Sequence, residues 1–111
     1  MSSLSIKVVT ENDTTIIKLG GAADMTEAQE LSKQLEIIVE QGCSNIIVDM
    51  RELQFVCSMA LGSLIQLRQK CCDKGIKLSL LNIQPSLKKV LQTTQLDHLF
   101  NICDSMENAL K

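Results

Sequence analysis

Leu4-Ser5-Ile6-Lys7-Val8-Val9 alternates apolar and polar residues, and Thr14-Thr15-Ile16-Ile17-Lys18-Leu19 is β-branched and apolar. Both patterns predict strands. The turn cluster Glu11-Asn12-Asp13 between them makes the pair an antiparallel hairpin. After Gly20-Gly21 the period changes. Asp24 stands three residues before Glu27, a capping-box-like helix start. Ala28, Leu31, Leu35, Ile38 and Val39 then recur at helical spacing until Gly42 ends the run. Asn45–Met50 predicts a strand, and a second helix opens near Ser58 and continues to about Lys74. Leu61, Leu64, Ile65, Cys71 and Cys72 lie on one side of it, and Gly75 follows as a stop. Lys77–Leu81 predicts the next strand. Pro85 suits the first turn of a third helix carrying Leu87, Val90 and Leu91. Leu99–Ile102 is a weak last strand, and Asp104 with Glu107 can cap a short final helix.

The predicted order is β-β-α-β-α-β-α-β-α, an α/β fold with a mixed central sheet flanked by helices. Strands joined through helices run parallel by right-handed crossovers. The turns at Gly20–Asp24, Arg51–Ser58 and Asn82–Pro85 therefore fall at the carboxyl edge of the sheet, where α/β folds place their sites. Three loops distant in sequence should converge around Ser58 and Met59.

Composition narrows the picture. A chain of 111 residues, 45% apolar, holds one core and one domain, 1–111. Phe55 and Phe100 are its only aromatic residues, so that core is aliphatic. A formal net charge of −2 gives no electrostatic case for nucleic acid or an anionic membrane. No apolar run approaches the ~20 residues that span a bilayer, and Met1-Ser2-Ser3-Leu4-Ser5 lacks the regions of a secretory leader. Five cysteines without a spaced framework argue for a reducing, cytoplasmic setting.

The segment Phe55-Val56-Cys57-Ser58-Met59-Ala60-Leu61-Gly62 carries the most specific signal. Small residues at a strand-to-helix turn place side chains beside unpaired backbone N–H groups, where negative charge is favoured. The segment resembles the Phe-Met-Asp-Ser-Ser-Gly-Leu-Gly turn of bacterial anti-sigma-factor antagonists, which are free-standing STAS domains. The resemblance extends along the chain. Gly21-Ala22-Ala23-Asp24 stands where the family has Gly-Glu-Leu-Asp. Pro85–Leu91 matches the family's Pro-led apolar helix, Gln95-Leu96 its Gly-Leu pair, and Glu107-Asn108-Ala109-Leu110 its closing Glu-x-Ala-Leu.

The resemblance implies a domain that catalyses nothing, needs no cofactor, and docks onto a protein partner. That partner would be an anti-sigma factor with a kinase-like ATPase fold or a similar switch protein. The implied contact residues are Asp24, Cys57, Ser58, Met59, Ala60 and Leu61, in a monomer or weak dimer. The family's phosphorylated serine aligns with Met59, which has no hydroxyl, so Ser58 is the remaining phosphoacceptor candidate. A phosphate there would add roughly −1.5 to −2 charge.

Each candidate has a plainer reading. Ser58 and Asp24 are natural helix N-caps, and Met59 can either pack against a loop or serve as an adaptable contact. Cys71 and Cys72 point about 100° apart on a helix, poor geometry for a shared metal or a disulfide. His98 is the only histidine, which disfavours a zinc site. Two other functions stay open: a thiol or redox protein using Cys57 at a helix N-terminus, and a structural subunit of a STAS-type assembly.

Overall fold

The computed structural model describes residues 3–111. Met1 and Ser2, part of the segment read against a leader, lie outside them. Among the described residues five strands form one sheet, ordered β1-β2-β3-β4-β5 as in the sequence. These are β1 (Leu4–Glu11), β2 (Thr14–Ala23), β3 (Asn45–Val56), β4 (Lys77–Leu81) and β5 (Asn101–Cys103). β1 pairs antiparallel to β2, and β2 through β5 run parallel. The helices are α1 (Met25–Gln41), α2 (Ser58–Lys74), α3 (Pro85–Thr93) and α4 (Met106–Leu110), with a short 3-10 turn at Asp97–Leu99. The predicted element order is observed.

The hairpin turn is Asn12-Asp13, both at positive φ (51° and 67°), the backbone twist that suits a two-residue hairpin. α1 and α2 cover one face of the sheet. Leu31, Leu35, Leu64 and Leu67 meet Ile17, Ile46, Val48 and Leu80 in the main core. α4 covers part of the opposite face, where Ala109 packs with Ile47, Leu81 and Cys103. Elsewhere on that face lies an open cleft lined by Ser5, Lys7, Lys18, Asp49, Arg51 and Glu52.

Local corrections arise where pairing overrides pattern. β2 runs on from Leu19 to Ala23, and β3 from Met50 to Val56, because Gly20, Gly21, Ala22 and Ala23 keep pairing with Glu52, Leu53, Phe55 and Val56. The loop expected over Arg51–Ser58 shrinks to Cys57. Two irregularities, between Lys18 and Gly20 and between Gly21 and Ala22, each put an extra residue into β3. The last strand lies at Asn101–Cys103 rather than Leu99–Ile102, since Leu99 belongs to the 3-10 turn. The cap of α4 is Ser105, whose Oγ accepts the Asn108 N–H at 3.2 Å, and not Asp104. Cys71 is buried while Cys72 is exposed, so the two do not share a face. On α3 only Leu91 is buried; Val90 is 46% exposed because this helix borders the sheet edge rather than covering a face.

Candidate functional site

β2 and β3 end side by side at the carboxyl edge, Ala23 opposite Val56. The Cys57 N–H donates to the Ala23 carbonyl at 2.9 Å, which fixes where the second crossover begins. Both following helices therefore start on the same edge.

Asp24 caps α1 as predicted. Its Oδ1 accepts the Thr26 N–H at 3.0 Å, the Glu27 N–H at 3.2 Å and the Thr26 hydroxyl at 2.7 Å. Oδ2 accepts the Ser3 hydroxyl at 3.3 Å. These donors, the Thr26 hydroxyl foremost, hold the carboxyl below its ordinary range despite some opposing desolvation. Asp24 is thus anionic and committed to local hydrogen bonds.

The cap of α2 is Cys57, not Ser58. Cys57 has extended backbone (φ −77°, ψ 170°), and its Sγ accepts the Ala60 N–H at 3.4 Å. Because β3 continues to Val56, the residue of non-helical dihedrals falls at Cys57, and Ser58 becomes the first helical residue. Ser58 is consequently released from capping and lies exposed. Met59, next along, is 46% exposed. Ala60, expected among the contacts, is fully buried and belongs to the main core. It shapes the turn and offers no surface. Leu61 is half-buried against that core.

Sequence reasoning missed Phe55 as a surface feature. Simple alternation puts Leu53 and Phe55 on one face. The extra residue Gln54 makes them oppose the neighbouring residues Gly21 and Ala22, which face opposite sides, so Leu53 turns inward and Phe55 outward. Leu53 is 3% exposed and Phe55 53%. Phe55 borders a groove of about 420 Å³ between the α2 turn and α3, with Cys57, Ser58, Leu61, Leu87 and Val90 along it. None of the groove's lining residues carries a charge. Asp24 does not line this groove; it stands apart on the same edge. No periodicity signal could have joined α3 to the α2 turn, since the contact is made by the topology.

A second cleft, about 280 Å³, lies on the open sheet face among Lys7, Lys18, Arg51, Asp49 and Glu52. Its charges are of both signs, and none of the residues singled out from the sequence reaches it. Among the described residues no three His, Cys, Asp or Glu side chains are grouped to hold a metal ion. Burial pushes the Cys71 thiol up to about 11, with Cys43 and Cys72 adding to the shift. The His98 side chain is 82% exposed, 3.9 Å from Asp97. No helix among the described residues is long and apolar enough to cross a membrane.

Residues 5–109 match the STAS domain family. The anti-sigma F factor antagonist of Paenibacillus polymyxa is 25% identical over 109 residues, spanning 97% of this chain and 93% of that protein. The fold is similar to the crystal structure of an anti-sigma factor antagonist from Mycobacterium paratuberculosis. The TM-score is 0.87 at 19% identity, over 97% of this chain and 92% of that one. It is also similar to the Bacillus anti-sigma factor antagonist SpoIIAA in its unphosphorylated form. There the TM-score is 0.81 at 21% identity, over 96% and 93% of the two chains.

Proposed function

Since the chain belongs to the STAS domain family, we propose that it is a non-catalytic anti-sigma-factor antagonist, acting in the cytoplasm as a monomer or weak dimer. It docks through the β3–α2 turn onto an anti-sigma factor or kinase-like switch protein. The observation that carries this reading is the exposed Phe55 at the rim of the uncharged groove, with Met59 exposed at the start of α2 beside a separate uncharged groove. Large apolar side chains at the rim of an apolar groove fit a protein interface better than they fit free solvent. Asp24 adds one negative charge on the same edge, where it can fix the partner's orientation.

The same turn defines how the domain is regulated. Phosphorylation needs a hydroxyl, and Met59 has none. The domain is therefore constitutively competent to bind, under the control of its own abundance and of its partner's state. Ser58 is the hydroxyl left at the turn. A phosphate there would sit at the start of α2, favoured by the helix dipole, but it would put a dianion beside the groove mouth and oppose apolar docking.

The test is direct binding by titration calorimetry, with each kinase-like anti-sigma factor of the source organism purified in turn and ATP present or absent. One of them should bind, Phe55→Asp should weaken that binding at least tenfold (about 1.4 kcal/mol), and its melting temperature should stay near the parent's. Peptide mapping after incubation with ATP should find no phosphate on Ser58. Failure of every candidate to bind, or stoichiometric phosphate on Ser58 that abolishes binding, would overturn the reading.

A further inference from the structure

The described methionines divide sharply by exposure. Met50 is fully buried and Met106 is half-buried against the second core, whereas Met59 is 46% and Met25 68% exposed. Both exposed thioethers lie in the first turn of a helix. Those helices leave the paired residues Ala23 and Val56, so the two sulfurs belong to one edge of the molecule. Met59 also borders a shallow groove of about 240 Å³ between α1 and α2. Ala28, Gln29, Ser32, Gly62, Ser63 and Gln66 line it, none of them charged. Gly62 has open space above it.

We infer that Met59 is a reversible oxidation site that switches the docking turn between an apolar and a polar state. The oxidant is a peroxide. A lone pair of the Met59 sulfur attacks one peroxide oxygen, and an S–O bond forms as the O–O bond breaks. With hydrogen peroxide the sulfur loses two electrons, and the departing hydroxide takes the proton from the oxygen now bound to sulfur and leaves as water. The product is an uncharged sulfoxide whose oxygen is a strong hydrogen-bond acceptor. In the free protein that oxygen is solvated. In a docked complex it would be pressed against apolar surface without a donor, which disfavours binding. Methionine sulfoxide reductase returns the thioether by coupling loss of the oxygen as water to oxidation of a dithiol to a disulfide. The consequence for binding rests on the docking function proposed above, while the chemistry at Met59 does not.

The experiment uses hydrogen peroxide on the whole protein in mildly acidic buffer, where thiols are protonated and react slowly. Dithiothreitol treatment follows, which reverses sulfenic acids and disulfides but leaves sulfoxides. Peptide mass spectrometry should show Met59 and Met25 oxidised at least roughly tenfold faster than Met50, with the melting curve preserved. Affinity for the anti-sigma factor found by calorimetry should drop at least tenfold and return after the reductase. Met59→Leu should show the same affinity before and after peroxide, while Met25→Leu should keep the peroxide response. Oxidation of Met59 no faster than Met50, or a Met59 sulfoxide that the reductase does not reverse, would overturn the inference. So would oxidised protein that binds as tightly as reduced protein. If the reduced protein binds no candidate, the docking function fails; the oxidation rates and their reversal then decide the site alone.

Discussion

At the scale of single residues, the α2 turn shows how one position of slip reassigns chemistry. Ser58 has the composition of a cap, yet Cys57 holds the cap dihedrals and Ser58 is left exposed. Asp24 is the opposite case, a cap legible from its spacing to Glu27 and found as such. Its role makes a pH-dependent prediction. Hydrogen bonds from Thr26 and Glu27 lower the folded-state pKa of Asp24 below its ordinary 3.8. The stabilisation they supply is thus fully present above that value and is lost as pH falls through the folded pKa. Asp24→Ala should melt a few degrees below the parent at neutral pH. The gap should narrow steadily in buffers more acidic than 3.8, as thermal denaturation followed by circular dichroism would show. A gap of constant size across that range would mean that the carboxylate charge plays no part.

At the scale of elements, the Gly20-Gly21 pair would ordinarily mark the end of a strand, but β2 passes through it. Gly21 has φ +84°, and a Cβ there would lie 2.1 Å from the Ser3 carbonyl oxygen. That carbonyl accepts the Ala22 N–H at 2.9 Å, so the close approach is what closes the β1–β2 hairpin at the carboxyl edge. Gly21→Ala should cost more than the ~1–3 kcal/mol typical of left-handed strain alone, because the added methyl also collides with backbone. Urea denaturation would measure the loss, and hydrogen exchange should show the Ala22 amide opening faster. The α1–α2 layer reads differently. Its apolar spacing was largely legible: Ala28, Leu31, Leu35, Leu64 and Cys71 are buried as read, Leu61 and Ile65 are half-buried, Cys72 is exposed, and the buried Leu67 was not among the residues read from the spacing. Lys70–Glu36 and Lys74–Glu40 pair across its exposed side at 3.1 and 3.6 Å, a surface contribution worth little by itself.

At the scale of the whole molecule, stability resides in the face that α1 and α2 cover, since the α4 side closes over a much smaller cluster. Leu64 sits at the centre of the larger core, 2% exposed. Leu64→Ala should cost about 2–5 kcal/mol by chemical denaturation, whereas Leu110→Ala on α4, where the side chain is 54% exposed, should change stability by under ~0.5 kcal/mol. The sequence by itself determined the element order, the parallel crossovers, the buried helix faces of the main layer and the edge on which the turns gather. Those features follow from backbone periodicity and chain handedness, which neighbouring residues dictate. Only the tertiary structure decided that Phe55 faces outward, that Cys57 caps α2 in place of Ser58, that Ala60 is buried, and that α3 lends Leu87 and Val90 to the groove. Each of these depends on the register of β2 against β3 or on the seating of α3 at the sheet edge. Register is a pairing between residues some thirty positions apart, and a one-residue bulge reverses the facing of everything beyond it while leaving the local pattern of apolar and polar residues unchanged.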